Sequence, residues 1–246
     1  MNTLGKDEVA LVTGGTSGIG LALVEALHAR GVRVWFCARS AHTVTALQSR
    51  LTGTRGCVCD VTAVSALRTM AAEIGAAEGC LDLLIANAGA LHEMDFNEAP
   101  LDESLLRSEI DLNLTATIMT VNFFLPLLKK STQPRIVVIG SGYGWSPSSR
   151  APLYSATKAG VRAFVKSLRA QLKPSGVHVM EVVPPIVDTP AVAHKTGNKL
   201  APAKLASATL EGLDRQLPAV FAGQTRWMPF LLRLAPGALE RITLQN

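Results

Sequence analysis

Short apolar runs alternate with amphipathic stretches along the chain, and each change of period marks an element. Residues 9–12 are apolar throughout and stop at a glycine cluster, which predicts a buried strand. From Ser17 onward, Ile19, Ala22, Leu23, Ala26 and Leu27 recur at helical spacing, and Gly31 closes that helix. Further strands are predicted over 32–37, 56–59, 81–86, 135–140 and 177–183. Helices are predicted between them over 41–51, 64–74, 103–130 and 154–172, with another near 202–213. Val161, Phe164, Val165, Leu168 and Leu172 form the apolar stripe of the helix at 154–172. Six strands alternating with helices predict βαβ units, a parallel sheet and helices on both faces. No linker rich in Pro, Gly or Ser interrupts the 246 residues and no repeat recurs, so residues 1–246 read as one domain.

Composition narrows the class. Hydrophobic residues make up 48% and charged residues 17%, which suits a buried parallel sheet and excludes long disorder. The net charge of +5 is spread out, with Lys129-Lys130 the longest basic run and no basic face interleaved with aromatics. That pattern favours an anionic small ligand over nucleic acid. Cys37, Cys57, Cys59 and Cys80 lack the spacing of a zinc site and read as buried thiols in a reducing cytoplasm. The histidines at 28, 42, 92, 178 and 194 are isolated, so no metal site is expected. The sequence shows no secretory signal pattern, and no run reaches the ~18 apolar residues of a membrane span.

Thr13-Gly14-Gly15-Thr16-Ser17-Gly18-Ile19-Gly20 lies between the first strand and the first helix. Glycines there permit a sharp turn and close approach of a pyrophosphate, which the helix N-terminus attracts. Asn87-Ala88-Gly89 follows the fourth strand. Tyr154-x-x-x-Lys158 opens the helix after the fifth, and Ser141 stands thirteen residues before the tyrosine. These four features, in this order and over nearly the whole chain, resemble the short-chain dehydrogenase/reductase family.

The resemblance implies a Rossmann-like, doubly wound parallel sheet. It also implies hydride transfer between a nicotinamide cofactor and a carbonyl or alcohol. The expected cofactor contacts are Gly14, Thr16, Ser17, Gly18, Ile19 and Gly20 in the loop. Arg39 and Ser40 are expected after the second strand, Asp60 and Val61 after the third, and Asn87, Ala88 and Gly89 after the fourth. Tyr154, Lys158, Pro184, Ile186, Val187 and Thr189 complete the set. The second strand ends in Cys37-Ala38-Arg39-Ser40 without the carboxylate that would bind a ribose 2′-hydroxyl. A guanidinium there suits a 2′-phosphate, so NADP(H) is expected over NAD(H). A plain loop-capping aspartate is the other reading of Asp60.

Tyrosine is a poor base at neutral pH, and a nearby ammonium favours its phenolate. Spacing i, i+4 places Tyr154 and Lys158 on one helix face, where the phenol can exchange a proton with a substrate oxygen. By resemblance, Ser141 binds the substrate carbonyl. Asn113, within the helix at 103–130, opens it locally and holds a water in a relay to the lysine; an ordinary polar helix residue is the other reading of Asn113. Ser146, Ser148 and Ser149 sit at the wrong spacing and read as loop residues.

The family's P-G-x-V-x-T turn is here Pro184-Pro185-Ile186-Val187-Asp188-Thr189, which is stiffer because proline fixes φ. It is similar to a subgroup of bacterial members of mostly unassigned substrate. Residues at about 190–205, including His194, Lys195, Gly197 and Asn198, are expected to form a substrate lid. Tyr143, Trp145 and residues 90–96 are expected to line the pocket. The apolar tail at 226–239 either caps that pocket, packs on a partner subunit or joins the core. A homodimer or homotetramer is the family default. A cofactor-sensing protein without turnover is the alternative function.

Overall fold

The computed structural model of the protein describes residues 4–98, 100–193 and 196–244. The strands are β1 (Val9–Thr13), β2 (Arg33–Ala38), β3 (Arg55–Val58), β4 (Leu83–Ala86), β5 (Arg135–Ile139), β6 (His178–Val183) and β7 (Ala219–Phe221). They form one parallel sheet in the order β3-β2-β1-β4-β5-β6-β7. Because side chains alternate along a strand, Ala10 and Val12 face one layer of helices and Val9 and Leu11 the other. The first layer holds α1 (Gly18–Ala29), α2 (Ala41–Arg50) and α7 (Pro202–Asp214), whose Leu27, Leu47 and Leu210 join one core. The second holds α3 (Val64–Glu78), α5 (Ala116–Leu128) and α6 (Pro152–Leu172), with Ile74, Phe124 and Val165 buried. Each such fully buried side chain contributes roughly 1.5–3 kcal/mol.

The long helix predicted at 103–130 is three pieces. After α4 (Glu103–Ile110) comes a π-helical turn, Asp111–Thr115, and then α5. By length and composition the stretch Glu103–Leu128 would pass as a membrane span. Ala116, Val121, Phe124 and Leu128 are nevertheless buried against the sheet and α3, as in a core helix. The helix carrying Tyr154 begins earlier than predicted, at Pro152, because proline is favoured in the first turn. Strand β4 starts later than predicted. Asp82 caps the start of β1 instead, its Oδ2 accepting from Val9 N at 2.8 Å.

The seventh strand, β7, was not predicted, being three residues long behind Pro218. It is followed by α8 (Met228–Leu234) and α9 (Pro236–Leu244). The order reverses between β1, which leads out to β2 and β3, and β4, which leads to β5–β7. Ligands of open α/β sheets bind at the carboxyl end of such a reversal.

Candidate active site

A cavity of about 1320 Å3 opens at that reversal and runs along the carboxyl ends of the strands. It exceeds the roughly 300–1,000 Å3 of ordinary ligand pockets, leaving room for a dinucleotide beside a second molecule. Its floor is the glycine loop. Gly14 and Gly18 have φ of +66° and +52°, a region that side chains strain to enter. A Cβ on Gly20 would stand 2.1 Å from the Gly14 carbonyl oxygen. Ser17, which caps α1, makes no side-chain bond to the first turn, so that turn's N–H groups are left for a ligand.

The loop is tied to β4 through Thr13. Its hydroxyl accepts from Asn87 N at 3.0 Å and Ala88 N at 3.1 Å, while Asn87 Nδ2 donates to Thr13 O at 2.9 Å. Asn87 therefore fixes the spacing between β1 and β4 where the cavity begins.

At one end the wall is Cys37, Ala38, Arg39, Ser40, Cys59, Asp60 and Val61. Arg39 is exposed and bears on Asp60, whose carboxyl is held below its usual range mainly by the Thr62 backbone N–H. Asp60 Oδ1 accepts from that N–H at 2.9 Å and from Thr62 Oγ1 at 2.7 Å, so Asp60 does cap its own turn. Ser40 likewise caps α2, accepting from Thr43 N at 3.4 Å. The four cysteines are free thiols.

At the other end Ser141, Tyr154 and Lys158 share a wall with Ile139, Gly89 and Ala90. Ser141 lies one residue beyond β5, after Gly140, and its hydroxyl accepts from Tyr143 N at 3.1 Å. Burial pushes the Tyr154 phenol up to about 12, while a hydrogen bond from Ser141 pulls it down. The Tyr143 ring meets Tyr154 edge-on at 6.3 Å. Lys158 is buried, its Nζ 5.7 Å from the Tyr154 ring centroid and donating to Ile139 O at 2.9 Å. Burial draws the ammonium down to about 8, and the charge of Glu181 opposes the fall.

Asn113 is wholly buried in the π-helical turn. Its Oδ1 accepts from Ala90 N at 2.9 Å and its Nδ2 donates to Ala90 O at 2.8 Å. The widened turn thus clamps the strand that runs on from β4. A Cβ on Gly89 would fall 2.9 Å from Asn113 Oδ1 and 3.7 Å from Lys158 Nζ, which is why this corner needs glycine.

The roof is Pro184, Ile186, Val187 and Thr189, with Thr189 packed against Gly18. Leu200 pairs back onto it, accepting from Asp188 N at 2.9 Å and donating to Ile186 O at 2.9 Å. Helix α7 starts at Pro202 and buries Leu205 in the core, so only 190–201 is left to act as a lid. Within that stretch His194 and Lys195 lie outside the described residues.

Two pocket expectations need correction. Trp145 does not line the cavity, because its indole turns to Glu181 and Arg162. Of residues 90–96, only Ala90 and Leu91 border it; His92 is drawn to the buried Glu109 at 2.7 Å. Met228 of the tail borders the cavity, and so do Arg150, Gln224, Thr225, Ile242 and Thr243, which the sequence does not single out. The tail is held over the mouth by Ser146 Oγ to Thr243 Oγ1 at 2.7 Å and Ser149 Oγ to Leu244 O at 2.6 Å. The apparent loop serines are thus anchors.

Comparison with known proteins agrees with this geometry. The family model described as short chain dehydrogenase matches residues 8–199. The uncharacterized oxidoreductase DltE of Bacillus subtilis strain 168 is 33% identical over 183 residues, which span 74% of this chain and 73% of that protein. Among solved structures, a short-chain dehydrogenase from Burkholderia cenocepacia J2315 in complex with NADP superposes with a TM-score of 0.88. It is 26% identical and covers 98% of this chain and 99% of its own. The actinorhodin polyketide ketoreductase with NADPH gives a TM-score of 0.80 at 28% identity, covering 89% of this chain and 96% of its own.

Proposed function

Since this chain belongs to the short-chain dehydrogenase family of oxidoreductases, we propose that it is an NADP(H)-dependent carbonyl reductase with Tyr154 as general acid/base. One observation carries the reading: Ser141, Tyr154 and Lys158 converge on the wall of the cavity whose floor is the glycine loop. A screen of NADPH consumption over diverse ketones and aldehydes, with NADPH-binding titration alongside, tests it. Turnover of one class of carbonyl is expected. Tight binding with no turnover across the panel would replace the enzyme by a cofactor sensor.

The residues fit the cofactor. The bare loop and the free first turn of α1 suit a pyrophosphate, and a Cβ at Gly20 would collide with backbone rather than with a movable side chain. Gly20→Ala is therefore expected to destabilise the fold by roughly 1–3 kcal/mol and to weaken NADPH binding by about two orders of magnitude. Urea melts and fluorescence titration read the two effects. Near-normal affinity would show that the pyrophosphate sits elsewhere.

Arg39, the residue after β2, is the proposed partner of the 2′-phosphate. A hydrogen bond to a charged group is worth about 1.5–3 kcal/mol, so Arg39→Ala should weaken NADPH roughly 10- to 100-fold. NADH binding should hardly change. Equal losses for both cofactors would remove Arg39 from phosphate recognition.

Bound in this cavity, NADPH supplies the hydride for the carbonyl carbon. Ser141 donates a hydrogen bond to the substrate oxygen and stabilises the charge that develops there. Tyr154 hands its phenolic proton to that oxygen. Lys158 holds the nicotinamide ribose and, through its charge, makes the phenol a stronger acid. Asn113 fixes the Ala90 backbone beside them and is the candidate holder of a relay water.

The pH dependence follows. With the phenol at about 12, Tyr154 keeps its proton through neutrality, while Lys158 loses its own near 8. Carbonyl reduction at saturating substrate is expected to be level below that pH and to fall as pH rises through it. A kcat profile from pH 6 to 10 that stayed flat would detach the ammonium from catalysis.

A further inference from the structure

The proton chemistry above leaves Glu181 unused, although it is a carboxylate buried to 4% exposure in the centre of β6. It stands opposite Val138 on the sheet face covered by α6, between residues that are otherwise aliphatic. Such a burial is costly unless a charge and hydrogen bonds meet it. Trp145 Nε1 donates to its Oε1 at 3.1 Å.

The charges of Arg162, Arg169 and Lys158, all on helix α6, bear on the same carboxylate. The two arginines have other engagements. The Arg162 guanidinium lies 3.6 Å from the centre of the Trp145 ring, and Arg169 donates to Val179 O at 2.7 Å and Pro218 O at 2.6 Å. Lys158 is buried, and its hydrogen-bond acceptor, Ile139 O, is neutral. The next residue is Gly140, where a Cβ would stand 2.7 Å from Glu181 Oε1. The carboxylate therefore runs alongside the backbone that holds the ammonium, and glycine leaves it room.

We propose that Glu181 is the buried counter-ion of Lys158. It is a positioning residue that keeps the ammonium charged and directed along Ile139 toward Tyr154, and Trp145 locks the carboxylate in place. The inference rests on the reductase reading only for the meaning of Lys158, since Glu181 does not border the cavity.

The electrostatics agree in sign. Glu181 raises Lys158 against the pull of burial; burial in turn holds the Glu181 carboxyl above its usual range, and the Trp145 N–H, Arg162, Arg169 and Lys158 all oppose that rise. The other groups around the pair, Asn113, Gly89 and Phe221, carry no charge, and Glu109 and Tyr143 bear on Tyr154.

The test reads Lys158 directly. In protein carrying 13C-labelled lysine, the side-chain signal that disappears in Lys158→Met is titrated by NMR. Glu181→Gln, which keeps shape and an acceptor for Trp145, is expected to lower the Lys158 midpoint by about one pH unit or more, a tenfold shift in protonation. Glu181→Asp should restore much of it. The falling limb of the kcat profile should move down by the same amount.

A folded Glu181→Gln protein with an unmoved Lys158 midpoint would overturn the proposal, whatever its melting temperature. A moved midpoint in a protein that reduces no carbonyl would support the counter-ion and sink the reductase reading instead. If Glu181→Gln does not fold, Trp145→Phe, which frees the carboxylate from its donor, carries the test. A smaller downward shift supports the proposal and none overturns it.

Discussion

Tyr154→Phe is expected to lower kcat for carbonyl reduction by roughly three orders of magnitude while leaving NADPH affinity within about twofold, in line with the 10²–10⁴ that general acid catalysis contributes. The substitution removes one oxygen and keeps the ring. Its edge-on contact with Tyr143 survives, as does the face it presents to the Lys158 ammonium. The glycine loop, Asn87, Arg39 and Lys158 are untouched, so most of the expected cofactor contacts remain. What disappears is the group proposed to hand its proton to the product oxygen. Ser141 can still polarise the carbonyl, and Lys158, bonded to Ile139 O, keeps its place beside the ring. Rapid-mixing kinetics on the substrate found by screening, with fluorescence titration of NADPH, separate the two quantities. Near wild-type turnover would refute Tyr154 as the acid, and a parallel loss of affinity would make it a binding residue.

The parts of the site legible in the sequence are those whose physics is local. Gly14, Gly18 and Gly20 are demanded by positive φ or by a backbone contact within one turn, and so they punctuate the chain visibly. Tyr154 and Lys158 meet because they lie one turn apart on a helix, whatever the rest of the chain does. The π-helical turn at Asp111–Thr115 left no trace in the periodicity, since its five residues continue the apolar pattern on either side. Its anchor, Asn113 to Ala90, joins residues that are distant along the chain.

Trp145 was misplaced for a similar reason. An aromatic four residues after the proposed catalytic serine looks like pocket lining, and only the sheet register reveals the buried carboxylate that its indole serves. Glu181 did leave a signal, a lone acid in the otherwise apolar strand His178–Val183, but its partner lies on another element. The tail's role in bordering the cavity depends on Ser146 and Ser149, which bind residues nearly a hundred positions away.

Lys158→Met is expected to abolish reduction and at the same time to stabilise the protein. The folded-state ammonium sits at about 8 against an ordinary lysine near 10.5. Below pH 8 the lysine is charged in both folded and unfolded chains, and the folded chain bears the full cost of burying it. Between about 8 and 10.5 the unfolded chain holds a proton that the folded chain has lost, so stability rises with pH across that window. The depression corresponds to about 3 kcal/mol at neutral pH. Methionine fills the same channel along α6 with no charge to desolvate. Part of the gain is offset because Glu181 is left facing only Arg162 and Arg169, which are already engaged. A net gain of several degrees in Tm at pH 7 is therefore expected, shrinking when both proteins are compared at pH 10. Melting curves at the two pH values check it. A Lys158→Met protein that was less stable than the wild type at pH 7 would mean that the ammonium is a structural asset to the folded chain. A gain at pH 7 that vanishes at pH 10 would mark Lys158 as a charge held in the core at the expense of stability, as expected of a group kept for function rather than for folding.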